Sequence, residues 1–331
     1  MQYYNIFKDT LTSTSSPDLV PIGIPTHDGD NSSFKDGVQF AWDATSISIF
    51  KTCPYKYKLV MIDGWNAKVI PPPLAFGIYM HVVFQTWHRL DAEPSISKDE
   101  AFLRCVKLAG MLGEKLPNGD NARRKEQLVR ATVWYLEQFW DDQAKTVILS
   151  NGKPAVEYSF TLPFFTQDGL DTYLCGHIDR FAKWQGRVLA QDYKTTKYGL
   201  DQRFISKFKP HTQFPLYTAA SHIIAAKTQE VPATDGILLD GIQLGVNFNR
   251  FMRYIVPYSP EEIQEYLKGL KYWIKQAMTT SQEGYFPMNE ESCEKYGGCQ
   301  FKDICSKPKA RHEQYLKGNF TKRTWDPLRE R

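Results

Sequence analysis

DTYLCGHIDRFAKWQGRVLAQDYKTT, residues 171–196, alternates apolar and polar side chains on both sides of Gln185-Gly186. Alternation with period two marks a half-buried strand, and Gly supplies the positive φ of a tight two-residue turn. With Gln185 and Gly186 as the loop, Trp184 faces Arg187, and counting outward sets Asp179 opposite Asp192. Directly opposed residues hold their Cβ atoms roughly 4.5–5.5 Å apart, where like charges repel. Two carboxylates so placed ask for a cation or a shared proton. Lys194 lies two positions past Asp192 and returns to the same face. The hairpin therefore presents two acids and one ammonium group together, which suits catalysis better than packing. A longer loop or a bulge would undo the pairing by moving Asp179 off its partner.

The 331 residues around this hairpin suffice for a large core, or for one core with a substantial insertion. No run approaches the ~18 apolar residues of a membrane span. The opening MQYYNIFKDTLTS has no signal-peptide core, so the expected location is cytoplasmic, with no membrane partner. A net charge of +4 permits nucleic-acid binding without arguing for it. Six cysteines in such a chain do not suggest a disulfide framework. Cys105 and Cys175 sit in apolar periodic segments and read as buried thiols.

Residues 1–40, rich in Ser, Thr, Asp, Pro and Gly, read as an extended, partly disordered arm. Thr45 or Ser46 caps a helix that ends near Pro54. Lys51, Tyr55, Lys56, Tyr57 and Lys58 interleave base with aromatic; they form either a nucleic-acid surface or a solvated helix end. A strong helix is expected over 74–90, with His81 at its middle and Gly77 one turn earlier. Two amphipathic helices, near 97–115 and 121–145, split at Pro117-Asn118-Gly119-Asp120, make residues 95–150 a helical insertion that could shape a tunnel over the site. In it Arg123, Arg124 and Lys125 are either a solvated face or part of a DNA channel. A strand over 154–163 sets Glu157, Ser159 and Thr161 on one face. Beyond the hairpin, Lys197, Arg203, Lys207, Lys209 and His211 accumulate as a candidate phosphate track. Gln213 and Tyr217 share a helix face at i,i+4. Two further strands are expected within 236–258, then a helix from about Pro260 to Met278. The basic tail 306–331 follows, where Trp325 is a docking candidate.

The remaining four cysteines stand out by position. Cys293, Cys299 and Cys305 repeat as C-x5-C-x5-C and need a fourth ligand to close a tetrahedral metal or a cluster. Cys53, in C-P-Y-K, is the best candidate. The spacing differs from the short C-x2-C knuckles of structural zinc.

Together these motifs resemble the PD-(D/E)xK nuclease superfamily, and more narrowly its RecB-like branch. Gly176 and Asp179 match G-x-x-D, and Asp192, Tyr193 and Lys194 match D-x-K. Gly77 and His81 match the histidine motif, Gln213 and Tyr217 match Q-x-x-x-Y, and Glu157 stands where family members often carry a glutamate. Ser46 to Cys53-Pro54, with Cys293, Cys299 and Cys305, resembles the four-cysteine [4Fe–4S] arrangement of CRISPR-adaptation and phage-exonuclease members, although the gaps here are wider. Zinc is the lesser alternative.

The resemblance implies an α/β fold, a central mixed sheet flanked by helices. One nuclease domain would span 41–305, with the insertion at 95–150 and an iron–sulfur lobe made of Cys53 and residues 293–305. His81, Asp179, Asp192 and the Tyr193 carbonyl would hold Mg²⁺ or Mn²⁺, with Glu157 as an alternate ligand. Lys194 would orient the attacking water, while Gln213, Tyr217, Lys197, Arg203 and Lys207 would contact substrate. The implied activity is that of a DNA exonuclease preferring single strands or free ends. Its candidate protein partners belong to recombination or CRISPR adaptation. The rivals are a non-catalytic DNA-binding accessory protein and a zinc-stabilised interaction module.

Overall fold

A computed structural model describes residues 33–118, 123–295 and 298–328. The arm as far as residue 32, and Gly119-Asp120 of the expected loop, lie outside the described residues. Two compact units emerge. One holds the described chain up to Val69, Ser159–Gly176 and the residues from Pro260 on; the other holds Ile70–Tyr158 and His177–Ser259.

The first unit opens with a hairpin of β1 (Phe34–Lys35) and β2 (Val38–Gln39), then β3 (Ala41–Trp42) and helices α1 (Ala44–Thr52) and α2 (Pro54–Tyr57). Asp43, rather than Thr45 or Ser46, caps α1. Its carboxylate accepts from the Ser46 and Thr45 amides while Ser46 Oγ accepts from the Asp43 amide, a reciprocal capping box. A π-helical turn (Lys58–Ile62) leads to β4 (Trp65–Ala67).

In the second unit, α3 (Pro72–Asp91), α4 (Lys98–Gly113) and α5 (Lys125–Gln138) precede the short strand β5 (Lys145–Thr146). The last helix is shorter than its periodicity suggests. Asp142, beyond its end, is drawn into an ion pair with Arg253 and its carboxylate accepts from the Ala144 amide. These helices are a layer on the sheet: Phe84, Cys105, Leu128 and Tyr135 pack with Tyr193, Ile242 and Leu244 in one buried cluster. Each such large side chain gains roughly 1.5–3 kcal/mol from burial. That packing makes α4 and α5 a cover on the sheet face that carries the Tyr193 side chain.

Two long strands, β6 (Val156–Gln167) and β7 (Leu170–Trp184), run between the units. They are joined at Asp168-Gly169, and β7 joins β8 (Arg187–Thr196) at Gln185-Gly186. All four turn residues have positive φ, between 50° and 76°, as a two-residue turn matched to strand twist requires. Helices α6 (Gln202–Ile205) and α7 (Gln213–Lys227), strands β9 (Ile237–Leu244) and β10 (Asn249–Val256) and helix α8 (Pro260–Glu283) follow. The chain ends in α9 (Lys302–Cys305), α10 (His312–Asn319) and β11 (Phe320–Lys322), the last pairing with β4.

The central sheet is mixed and seven-stranded, ordered β10-β9-β8-β7-β3, with β5 and β6 also on β7. β8 pairs antiparallel with β7 and parallel with β9. Helices flank it, as the α/β expectation requires.

Candidate active site

The β7–β8 register runs from Trp184↔Arg187 to Arg180↔Gln191. Asp179 and Asp192 are the next step, where the ladder opens: the Tyr193 amide reaches the Asp179 carboxylate at 3.4 Å. Both acids are buried, Asp192 at 1% exposure. Into this opening α3 delivers His81. Its Nδ1 lies 3.0 Å from Asp179 Oδ2 and its Nε2 2.9 Å from the Tyr193 carbonyl oxygen. Both partners only accept, so the ring donates from both nitrogens and is an imidazolium. Burial opposes that charge, but the Asp179 carboxylate outweighs it and, with Asp192, lifts the pKa to about 9. Burial likewise works against ionised Asp179, yet His81 holds its pKa below the usual carboxylate value. For Asp192 burial prevails and the pKa is raised, with Lys194 a partial offset. The two acids are thus pushed apart in basicity.

Lys194 Nζ stands 2.6 Å and 2.9 Å from the two Asp192 oxygens, the longer contact having hydrogen-bond geometry. It also donates to Gln213 Oε1 at 3.1 Å, and Gln213 Nε2 contacts the Tyr217 hydroxyl at 2.9 Å. The i,i+4 pair on α7 therefore reaches the active strand as one polar chain ending on the lysine. Glu157 is 4% exposed, with φ 53°. That left-handed backbone breaks the alternation of β6 and turns the carboxylate inward, strain of the kind concentrated at functional sites. Gln85, one helical turn beyond His81, donates to it.

A family model for the PD-(D/E)XK nuclease superfamily matches residues 41–306. The chain belongs to that superfamily. No curated protein matches it at a significant level. In this PD-(D/E)XK chain Asp179, Asp192, Lys194, His81, Gln213 and Tyr217 of the G-x-x-D, D-x-K, G-x-x-x-H and Q-x-x-x-Y motifs converge as described. Gly77 is not sterically forced, since a Cβ there would meet only Thr195 Oγ1, at 3.7 Å.

PD-(D/E)XK nucleases generally depend on a metal ion, and the donors here fit a hard divalent cation. Two carboxylates and a backbone carbonyl offer oxygen, and His81 adds a nitrogen. Among the described residues no three His, Cys, Asp or Glu side chains form a ready-made ion cage. His81 and Lys194 are paired with the two carboxylates.

Sequence reasoning passed over what lies behind Tyr193. Its hydroxyl is 2.7 Å from His88 Nε2, which Arg180 Nη1 also contacts at 3.0 Å. An arginine only donates, so His88 accepts and is neutral; burial, with Arg180 and Arg253 nearby, holds its pKa well below the ordinary value. Arg253 bonds Asp240 at 2.9 Å and Asp142 at 2.6 Å, and Tyr135 donates to Asp240. The one sequence signal was the placing of His88 two turns from His81 on the same helix.

Of the expected phosphate track, Lys197 and Lys207 stand 5.4 Å and 5.7 Å from the Tyr198 ring, and Arg203 is exposed. His211 does not belong to a cationic track. Burial, then Lys194, push its pKa down to about 4, leaving it neutral. Lys125 pairs with Glu114.

In the first unit, Cys53, Cys293, Cys299 and Cys305 line one cavity of about 340 Å³, and none is in a disulfide. Burial and the three neighbouring thiols push Cys305 up to about 11. The Asn289 amide points at Cys53 Sγ at 3.4 Å. Cys105 and Cys175 are buried and also free, and Trp325 Nε1 lies 3.4 Å from Asp43.

Proposed function

We propose that the chain is a Mg²⁺- or Mn²⁺-dependent deoxyribonuclease acting at DNA ends, with a preference for single strands. One observation carries this: Asp179, Asp192, Lys194 and His81 meet where the β7–β8 ladder opens. His81, Asp179, Asp192 and the Tyr193 carbonyl would hold the ion, with Glu157, bonded to Gln85, as an alternate ligand. A bound divalent ion lowers the pKa of water and neutralises charge on a phosphodiester under attack. Lys194, fixed by Asp192 and Gln213, orients that water and stabilises developing negative charge. Gln213 and Tyr217 keep the ammonium group in place. The end and single-strand preference is supported by exposed base and aromatic groups at the end of β8.

The test is end-labelled single- and double-stranded DNA with Mg²⁺, Mn²⁺ or chelator. Wild-type protein shortens labelled ends only with metal, while Asp192→Ala and Lys194→Ala lose cleavage by at least about 10²–10³-fold, the range for deleting a transition-state contact, and still bind DNA. Retained cleavage in either variant removes the mechanism.

The four-cysteine cavity supports a [4Fe–4S] cluster over zinc in this reading. A single tetrahedral zinc needs four sulfurs ~2.3 Å from one point, whereas the four cysteines here line one cavity of about 340 Å³. A cluster several atoms across suits a shared cavity better. Its role would be structural, joining α2 to the segment before α9.

A further inference from the structure

We propose that Tyr198, flanked by Lys197 and Lys207, is a stacking platform for a base of an unpaired nucleic-acid strand whose backbone leads to Lys194. The inference rests on the nuclease reading and adds the state in which substrate is held. Tyr198 lies two residues past the end of β8 and is 64% exposed. It is a large ring turned to solvent, with its amide tied to Thr196 Oγ1 at 3.0 Å.

Two ammonium groups gather over it, Lys197 Nζ at 5.4 Å and Lys207 Nζ at 5.7 Å from the centroid. An exposed ring with two exposed lysines over it is complementary to a nucleotide: the base plane takes the ring face in place of the ammonium groups, and these take the flanking phosphates. A duplex keeps its bases stacked on one another, so the ring can be used only by an unpaired base.

The platform is also fixed relative to the catalytic strand. The following segment packs Leu200 and Phe204 onto Gly241, the cross-strand partner of Lys194, where a Cβ would come within 2.8 Å and 2.9 Å of those side chains. The Tyr254 hydroxyl donates to the Leu200 carbonyl at 2.8 Å. Four residues of chain reach at most about 14 Å, so the stacked base lies within a few nucleotides of the phosphate beside Lys194.

Binding is measured in chelator, where no cleavage occurs, with fluorescent (dT)12, (rU)12 and an abasic deoxyribose-phosphate 12-mer. Wild type prefers (dT)12 to the abasic strand. Tyr198→Ala weakens (dT)12 about tenfold, within the range for one base–aromatic stack, and leaves the abasic strand unchanged; Tyr198→Phe binds as wild type. Replacing Lys197 and Lys207 with Gln lowers the slope of log affinity against log salt by about 1.4. Equal Tyr198 dependence on (rU)12 assigns the platform to either polymer, and dependence on (dT)12 alone assigns it to DNA. Tyr198→Ala binding both base-bearing strands within twofold of wild type, or weakening the abasic strand equally, overturns the platform. A protein that shows the Tyr198 dependence yet never cuts with metal would instead sink the nuclease reading.

Discussion

His81 is held between two acceptors, the Asp179 carboxylate and the Tyr193 carbonyl, and its pKa is lifted to about 9 from 6.5. A group whose folded pKa lies above its unfolded one binds more protons when folded. Its stabilisation is complete below pH ~6.5 and is lost as pH rises through about 9. The shift corresponds to roughly 3 kcal/mol at most. Asp179, with its lowered pKa, works on the other flank, stabilising above the ordinary carboxylate range and losing that contribution as pH falls. In chelator, urea midpoints of the wild-type protein should therefore drop between pH 6.5 and 9.5, while His81→Gln stays nearly flat over that window. Equal pH dependence in the two proteins would show that the ring does not carry its proton there. At this scale the sequence was informative where a period of two fixed the face, as for Asp192 and Lys194. It was silent on the left-handed backbone of Glu157, which follows from no local pattern, and on the neutrality of His211, which depends on burial beside Lys194.

Among elements, the loop after β8 and strand β9 depend on one another through Gly241. Leu200 and Phe204 occupy the space its Cβ would take, at 2.8 Å and 2.9 Å. A methyl group there must lift the loop or displace two apolar side chains, and overpacking of this kind costs about 1–3 kcal/mol. Gly241→Ala should lower the unfolding free energy from urea titration by that amount and weaken (dT)12 binding, because Tyr198 moves with the loop. Gly110→Ala, in open space on α4, should do neither. Unchanged stability in Gly241→Ala would mean the loop rests elsewhere. The β7–β8 hairpin was legible because Gly186 marks its turn, and β10 because it alternates, although β9 is buried along its whole length. The β6–β7 hairpin was less so, since Phe164 and Phe165 are both buried and blur the period. The end of α5 was missed because a distant partner, Arg253, captures Asp142.

At the scale of the whole chain, the cysteine cavity joins segments far apart in sequence: Asn289 meets Cys53 across 236 positions, and its side chain also donates to the Thr52 carbonyl. Cysteine spacing in the sequence pointed to the four residues, but not to the Asn289 contacts with Cys53 and Thr52 at the cavity. In a chain-entropy picture, a cross-link closing a loop of this length restricts the unfolded chain by about 5 kcal/mol. A cluster held by Cys53 and the three later cysteines would supply such a cross-link, whereas hydrogen bonds alone leave the unfolded chain unrestricted. All residues proposed for cleavage lie in the other compact unit. Cys53→Ala, purified without oxygen, should therefore lose iron and the absorption near 400 nm that marks an iron–sulfur protein (roughly). It should melt at a temperature lower by about 10–20 °C, at ~2–4 °C per kcal/mol of the lost cross-link, and below that temperature still cleave DNA. Iron content and melting temperature unchanged by the substitution would show that Cys53 does not close the cluster. Wild-type protein carrying one equivalent of zinc and no iron would replace the cluster with a single ion.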